Sequence, residues 1–184
     1  MRLLRAADRA AVPWKNGGGV TREVAASQGA EGFDFDWRLS IAEVRLGGPF
    51  STFPGVERAL AVLQGSMMLK VAGRPGVLLD SESPPLLFPG DAATTADVVE
   101  PVVDLNLMTR RGAVTGRLEA MSLTRSRTVV AAATDVIVIA LDPLTADNLA
   151  LEPLDALHFG CGETVRLQSQ AGPARIYVAS LQVA

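Results

Sequence analysis

The residues best suited to chemistry are arginines, amides and hydroxyls set on strand faces. From Trp37 to Val44 the residue types alternate. Trp37, Leu39 and Ile41 point one way, and Arg38, Ser40 and Ala42 the other. The arrangement recurs where Asp104, Asn106 and Met108 alternate with Val103, Leu105 and Leu107, and Arg58 opens a run through Leu60 and Val62 that adds a second guanidinium. A polar strand face meets solvent in most antiparallel sheets but lines the lumen in a small barrel. Two strands offering Arg-x-Ser and Asp-x-Asn favour a converging polar pocket. Planar, forked guanidinium donors suit bidentate recognition of a carboxylate.

The stretch Pro13–Glu23, PWKNGGGVTRE, places donors on Lys15, Asn16, Thr21 and Arg22 around three consecutive glycines. Helix or ordinary strand is costly there, because glycine loses the most backbone freedom on ordering. The spacing is not that of a phosphate-binding loop. Two readings stay open: close approach of the backbone to a ligand or another strand, or a purely structural loop. Phe50 and Phe53, in the Gly/Pro-rich segment Gly48–Arg58, are read first as core and second as a flap over a barrel mouth. Arg110-Arg111 reads as a solvated or interfacial pair.

Other chemistries lack their residues. His158 is the single histidine and Cys161 the single cysteine, so no cluster has metal-ligand spacing and no metal or other cofactor is expected. There is no G-x-S-x-G elbow, and no catalytic residue is assigned. Carboxylate catalysis stays open, since Glu23, Asp36, Glu43, Asp91 and Asp104 could pair in space.

The elements that must position these side chains are strands. Short β-rich runs bounded by Gly, Pro, Asp and Ser recur, including 58–63 and 67–71 joined by a hairpin turn at Gln64-Gly65-Ser66, then 77–80, 86–88 and 102–108. A second series covers 116–123, 128–133, 136–141, 164–167 and 174–183, with a tight hairpin at Thr134-Asp135 and an irregular or briefly helical segment at 142–151. This density indicates an all-β sandwich or barrel. Arg110-Arg111-Gly112 marks the boundary between two halves, 1–111 and 112–184, the first holding the pocket. With 184 residues, 48% of them hydrophobic, the chain can bury a sizeable core. A net charge of −3 gives no general attraction to nucleic acid or anionic membranes. No apolar run approaches a membrane span, no secretion signal is evident, and one cysteine suits a reducing compartment, so the expected location is the cytoplasm. Surplus apolar strands in the second half lead to the expectation of a homodimer.

Five blocks in order, PWKNGGGVTRE, FDWRLSIAEV, GPFSTFPGVERAL, FPGD and DLNLMTRR, resemble the HutD/Ves family. The resemblance is dense from Pro13 to Arg111 and implies a double cupin, two β-barrel or jelly-roll halves. LAVLQGSMMLKV followed by FPGD resembles the two cupin motif regions without their metal-binding histidines, which implies a metal-free cupin. It further implies a regulatory protein of histidine utilisation whose partner is a small acidic metabolite such as N-formylglutamate. The matching positions are Trp14, Lys15, Asn16, Arg22, Arg38, Ser40, Arg58, Asp104 and Asn106. On face and charge, Arg22, Arg38 or Arg58 would clamp a carboxylate. Asn16, Ser40 and Asn106 would bind an amide or formyl group, and Asp104 would orient an arginine, Arg38 first, or accept an N–H. The competing reading is a metal-free cupin enzyme, an isomerase or hydrolase, using Lys15, Glu23 or Asp104 as acid or base.

Overall fold

Apolar residues at every second position, cut by turn residues at short intervals, leave the backbone little alternative to strand pairing. The computed structural model describes residues 1–30, 32 and 34–184. These form seventeen β-strands and one 3₁₀ turn, Ala6–Asp8. No helix among the described residues is long and apolar enough to cross a membrane. The fold is all-β, in two compact units: Ala10–Val114, and Met1–Arg9 together with Thr115–Ala184. The division after Val114 lies close to the expected boundary at 111/112. The first nine residues depart from it, joining the C-terminal unit.

Strand β1 (Arg2–Leu4) belongs to that C-terminal unit. The other unit holds β2 (Val12–Pro13), β3 (Gly19–Ala26), β4 (Trp37–Val44), β5 (Gly48–Pro49), β6 (Val56–Val71), β7 (Val77–Asp80), β8 (Leu86–Pro89) and β9 (Thr94–Arg110). They pair in the order β2-β3-β4-β9-β6-β7, with β5 on β9 and β8 on β6. Their inward faces enclose one core that includes Val44, Leu60, Val62, Met67, Leu69, Phe88 and Val102.

The expected hairpin at Gln64-Gly65-Ser66 is instead an irregularity inside the continuous strand β6, where the register with β9 shifts between Val62 and Met67. Gly65 has φ +77°, and a Cβ there would lie 2.0 Å from the Pro101 carbonyl oxygen. Pro101, on the facing strand, has no N–H to give the ladder. Across it β6 runs from Val62 to Met67 while β9 runs from Asp104 to Val98, an unequal count that reverses the parity of β6: Leu60 and Val62 point inward before it, Met67 and Leu69 after it. One long strand therefore serves both layers of the jelly roll.

The C-terminal unit adds β10 (Val114–Leu123), β11 (Ser126–Val130), β12 (Asp135–Ala140), β13 (Leu144–Ala146), β14 (Leu149–Leu151), β15 (Ala156–Gly160), β16 (Thr164–Ser169) and β17 (Ala174–Val183). Its sheets run β1-β15-β12-β17-β10 and β11-β16-β13-β14 around a core of Val138, Leu144, Leu157, Leu167 and Ile176. Thr134-Asp135 is thus a crossover between sheets and not a hairpin, because β11 and β12 pair with different partners. Residues 142–151 form a short β-hairpin, β13–β14. The buried Asp155 explains why the chain start sits here: it takes hydrogen bonds from Arg5 Nη1 and the Ala6 N–H, both at 2.7 Å.

Candidate functional site

Within the unit Ala10–Val114, β4, β9 and β6 lie side by side, and their register sets side chains in rows. Arg38, Met108 and Arg58 form one row. Ser40, Asn106 and Leu60 form the next, and Ala42, Asp104 and Val62 the third. All of these positions belong to the inward parity, so the polar face lines the lumen. A cavity of about 570 Å³ opens over them. Trp14, Lys15, Asn16, Arg38, Ser40, Arg58, Asp104 and Asn106 all line it, with Thr21, Phe50, Phe53 and Met108. Eight of the nine positions singled out in the sequence are thus in one place.

The loop before β3 brings three of them. Trp14 donates from Nε1 to Thr21 Oγ1 at 2.7 Å, and Asn16 Oδ1 accepts from the Gly18 N–H at 3.0 Å. A Cβ on Gly19 would stand 2.4 Å from the Glu43 carbonyl oxygen and 3.2 Å from the Trp14 ring. Of the two readings of the glycines, this one is close approach to a neighbouring strand and to an indole that faces the cavity.

Arg58 is 6% exposed, and its guanidinium carbon lies 4.8 Å from the Phe50 ring centre, 5.1 Å from Phe88 and 5.9 Å from Phe53. The negative ring faces offset part of the cost of burying the cation. Its Nε donates to Asn106 Oδ1 at 3.4 Å. Burial lowers the Arg58 pKa to about 10, against an opposing pull from Asp104, so it remains a cation at neutral pH. Burial pushes the Asp104 carboxyl up to about 7, with the Arg58 charge opposing that rise. Phe50 and Phe53 are therefore both packing and site residues. Their signal in the sequence was two rings beside an arginine, GPFSTFPGVER.

Two expectations need correction. Arg22 is not in the cavity: it faces Ile41, on the opposite side of the sheet from Ser40 and Ala42, and pairs with Glu43. Period-2 alternation sends Thr21 inward and Arg22 outward. Arg38 is partnered by Glu23 and not by Asp104, its Nε lying 3.1 Å from Glu23 Oε2. That Nε is buried without a hydrogen bond, so the contact is one of charge alone. Arg110 pairs with Asp36 at 2.7 Å, and Arg111 with Glu57 and Asp91 at 2.5 and 2.8 Å, outside the cavity. His158, in the other unit, contacts Asp135 Oδ1 at 2.7 Å, and no cluster of three ligating side chains that could hold a metal occurs among the described residues.

Comparison with known proteins places the chain in a family and shows its fold. The HutD family model matches residues 6–176. An uncharacterised 21.2 kDa protein of the hutC 3′ region of Pseudomonas putida is 53% identical over 77 residues, 41% of this chain and 40% of that protein. Protein Ves of Citrobacter koseri is 39% identical over 100 residues, 53% of this chain and 52% of its own length. The chain thus spans about half the length of the curated relatives it matches. HutD from Pseudomonas fluorescens SBW25 superimposes with a TM-score of 0.87 at 28% identity, over 100% of this chain and 98% of that one. A cupin barrel protein of Leptotrichia buccalis shares the fold, with a TM-score of 0.62 at 8% identity over 93% and 92% of the two chains. The architecture is that of a double cupin.

Proposed function

Since the chain belongs to the HutD family, we propose that it is a small-molecule-binding, regulatory protein of histidine utilisation whose N-terminal barrel takes an acidic metabolite such as N-formylglutamate. The carrying observation is the row Arg38–Met108–Arg58, which sets two guanidiniums into one cavity above Ser40 and Asn106. A carboxylate entering there meets cations already desolvated or half-desolvated, which strengthens pairing over that in open water. Ser40 and Asn106 hydrogen-bond its amide or formyl oxygen, while Lys15 and Asn16 stand exposed at the rim. The relative in the hutC 3′ region of Pseudomonas putida supports the pathway.

Isothermal titration with N-formylglutamate tests this, with saturable binding of one ligand per chain as the expected result. No heat and no protein NMR shifts with this compound or other acylated amino acids would reject it. A second reading, a metal-free isomerase or hydrolase, draws on the buried Asp104 carboxyl facing the cavity with a pKa of about 7. Following the ligand by NMR separates the two: an unchanged ligand means binding, and turnover means catalysis.

A further inference from the structure

One buried group on the inward face of β9 has no task in anion binding. Asp104 is 3% exposed and lines the cavity, and among the described residues no side chain or backbone group hydrogen-bonds its carboxylate. Its row neighbours, Ala42 and Val62, carry no donor. Arg58 acts on it only through space, the guanidinium being engaged by Asn106 and the phenyl rings. A buried carboxyl without a partner is costly, so an occupant that supplies a donor gains affinity by relieving that cost. Asp104 lies one row, about 7 Å along the strand, beyond Asn106, and a further row beyond the arginines. The arginine row and the Asp104 row are thus set apart along the strands of one cavity.

Resting on the reading of an anionic ligand, we propose that Asp104 is the specificity-determining residue of the cavity, accepting a hydrogen bond from a ligand N–H. The preferred ligands are then anions that combine a carboxylate with an N–H donor, as against plain carboxylic acids or N-alkylated amides. Arginine clamps alone do not make that distinction, since they read only the carboxylate. A site built to receive an N–H rejects the analogue lacking it, because its acceptor is then left unpaired.

Three probes separate the two rows: acetate, N-acetylglycine, and N-acetylsarcosine, which replaces the N–H by N–CH₃. Their affinities are measured by NMR titration of the parent protein, Asp104→Ala and Asp104→Leu, with folding checked by circular dichroism. The leucine variant refills the volume, so a folded protein without the acceptor is obtained even if alanine collapses the site. The expected result is about tenfold or more preference for N-acetylglycine over N-acetylsarcosine in the parent. In the variants the ratio falls to about one, with acetate still bound. Equal binding of the two acyl probes to the parent, or a preference that survives in the variants, overturns the proposal. Loss of acetate binding with the N–H preference intact overturns the anionic-ligand reading alone, and no binding of any probe overturns both.

Discussion

Arg58 and Asp104 occupy adjacent strands of one sheet, both almost sealed from solvent, and act on each other through space without a hydrogen bond. Burial moves each toward its neutral form, the arginine downward and the aspartate upward. Stability is given up to keep two ionisable groups facing a cavity.

That relationship sets a pH dependence. The folded carboxyl of Asp104, at about 7, holds a proton that the unfolded chain, near its ordinary 3.8, has already released. Between those values the folded state binds more protons, so stability falls as pH rises from about 4 to about 7 and levels above. Asp104→Asn removes this slope. Urea midpoints at pH 5 and pH 8 should show the parent losing on the order of 2–4 kcal/mol relative to the variant. Parallel pH profiles would show that Asp104 does not titrate in that window.

Ligand affinity should rank the arginines by their placement. Arg58→Ala removes a buried, ring-caged cation and should cost about 2–5 kcal/mol of binding to an acidic ligand. The Arg38 side chain is 28% exposed and shares its charge with Glu23, so Arg38→Ala should cost less, about 1–2 kcal/mol. Arg22→Ala, on the outer face, should leave affinity within about twofold. Calorimetric titration of the three variants checks the order, and a dominant loss at Arg22 would contradict the assigned faces.

On the proposed function, Glu23 should compete with the ligand for Arg38. Its side chain is 54% exposed and holds the guanidinium without a hydrogen bond, so release is cheap. Glu23→Gln should raise affinity for a carboxylate about two- to fivefold at low salt, and the gain should shrink near 0.5 M salt as the charge is screened. Weaker binding by this variant would mean that Glu23 positions Arg38 rather than competing for it.

Two glycine substitutions should separate fold from site. Gly65→Ala forces a Cβ against the Pro101 carbonyl at a positive φ, and should lower stability by about 2 kcal/mol or more wherever the cavity is probed. Gly19→Ala presses on the Trp14 ring and the Glu43 carbonyl, and should weaken ligand binding as well as stability. Thermal melts paired with titrations give both readouts. A Gly19→Ala protein with unchanged affinity would remove Trp14 from the list of working contacts.

The sequence by itself determined the all-β class and which side chains of β4 and β9 share a polar face, while the fold decided that this face turns toward the cavity. Alternation needs no tertiary information: once Leu39 and Leu105 are buried, Arg38, Ser40, Asp104 and Asn106 must face the other way. Only the tertiary structure decided which partners meet across strands. Alternation sets Thr21 and Arg22 on opposite faces, and the register with β4, Thr21 opposite Ala42 and Arg22 opposite Ile41, decides that Arg22 is the outer one. Likewise Gln64-Gly65-Ser66 reads locally as a turn, yet the facing Pro101 and the long pairing of β6 with β9 make it a bulge. Local patterns specify the face a side chain takes. Register, which arises from contacts distant in sequence, specifies its neighbours, and so placed Glu23 beside Arg38 and left Asp104 open to the cavity.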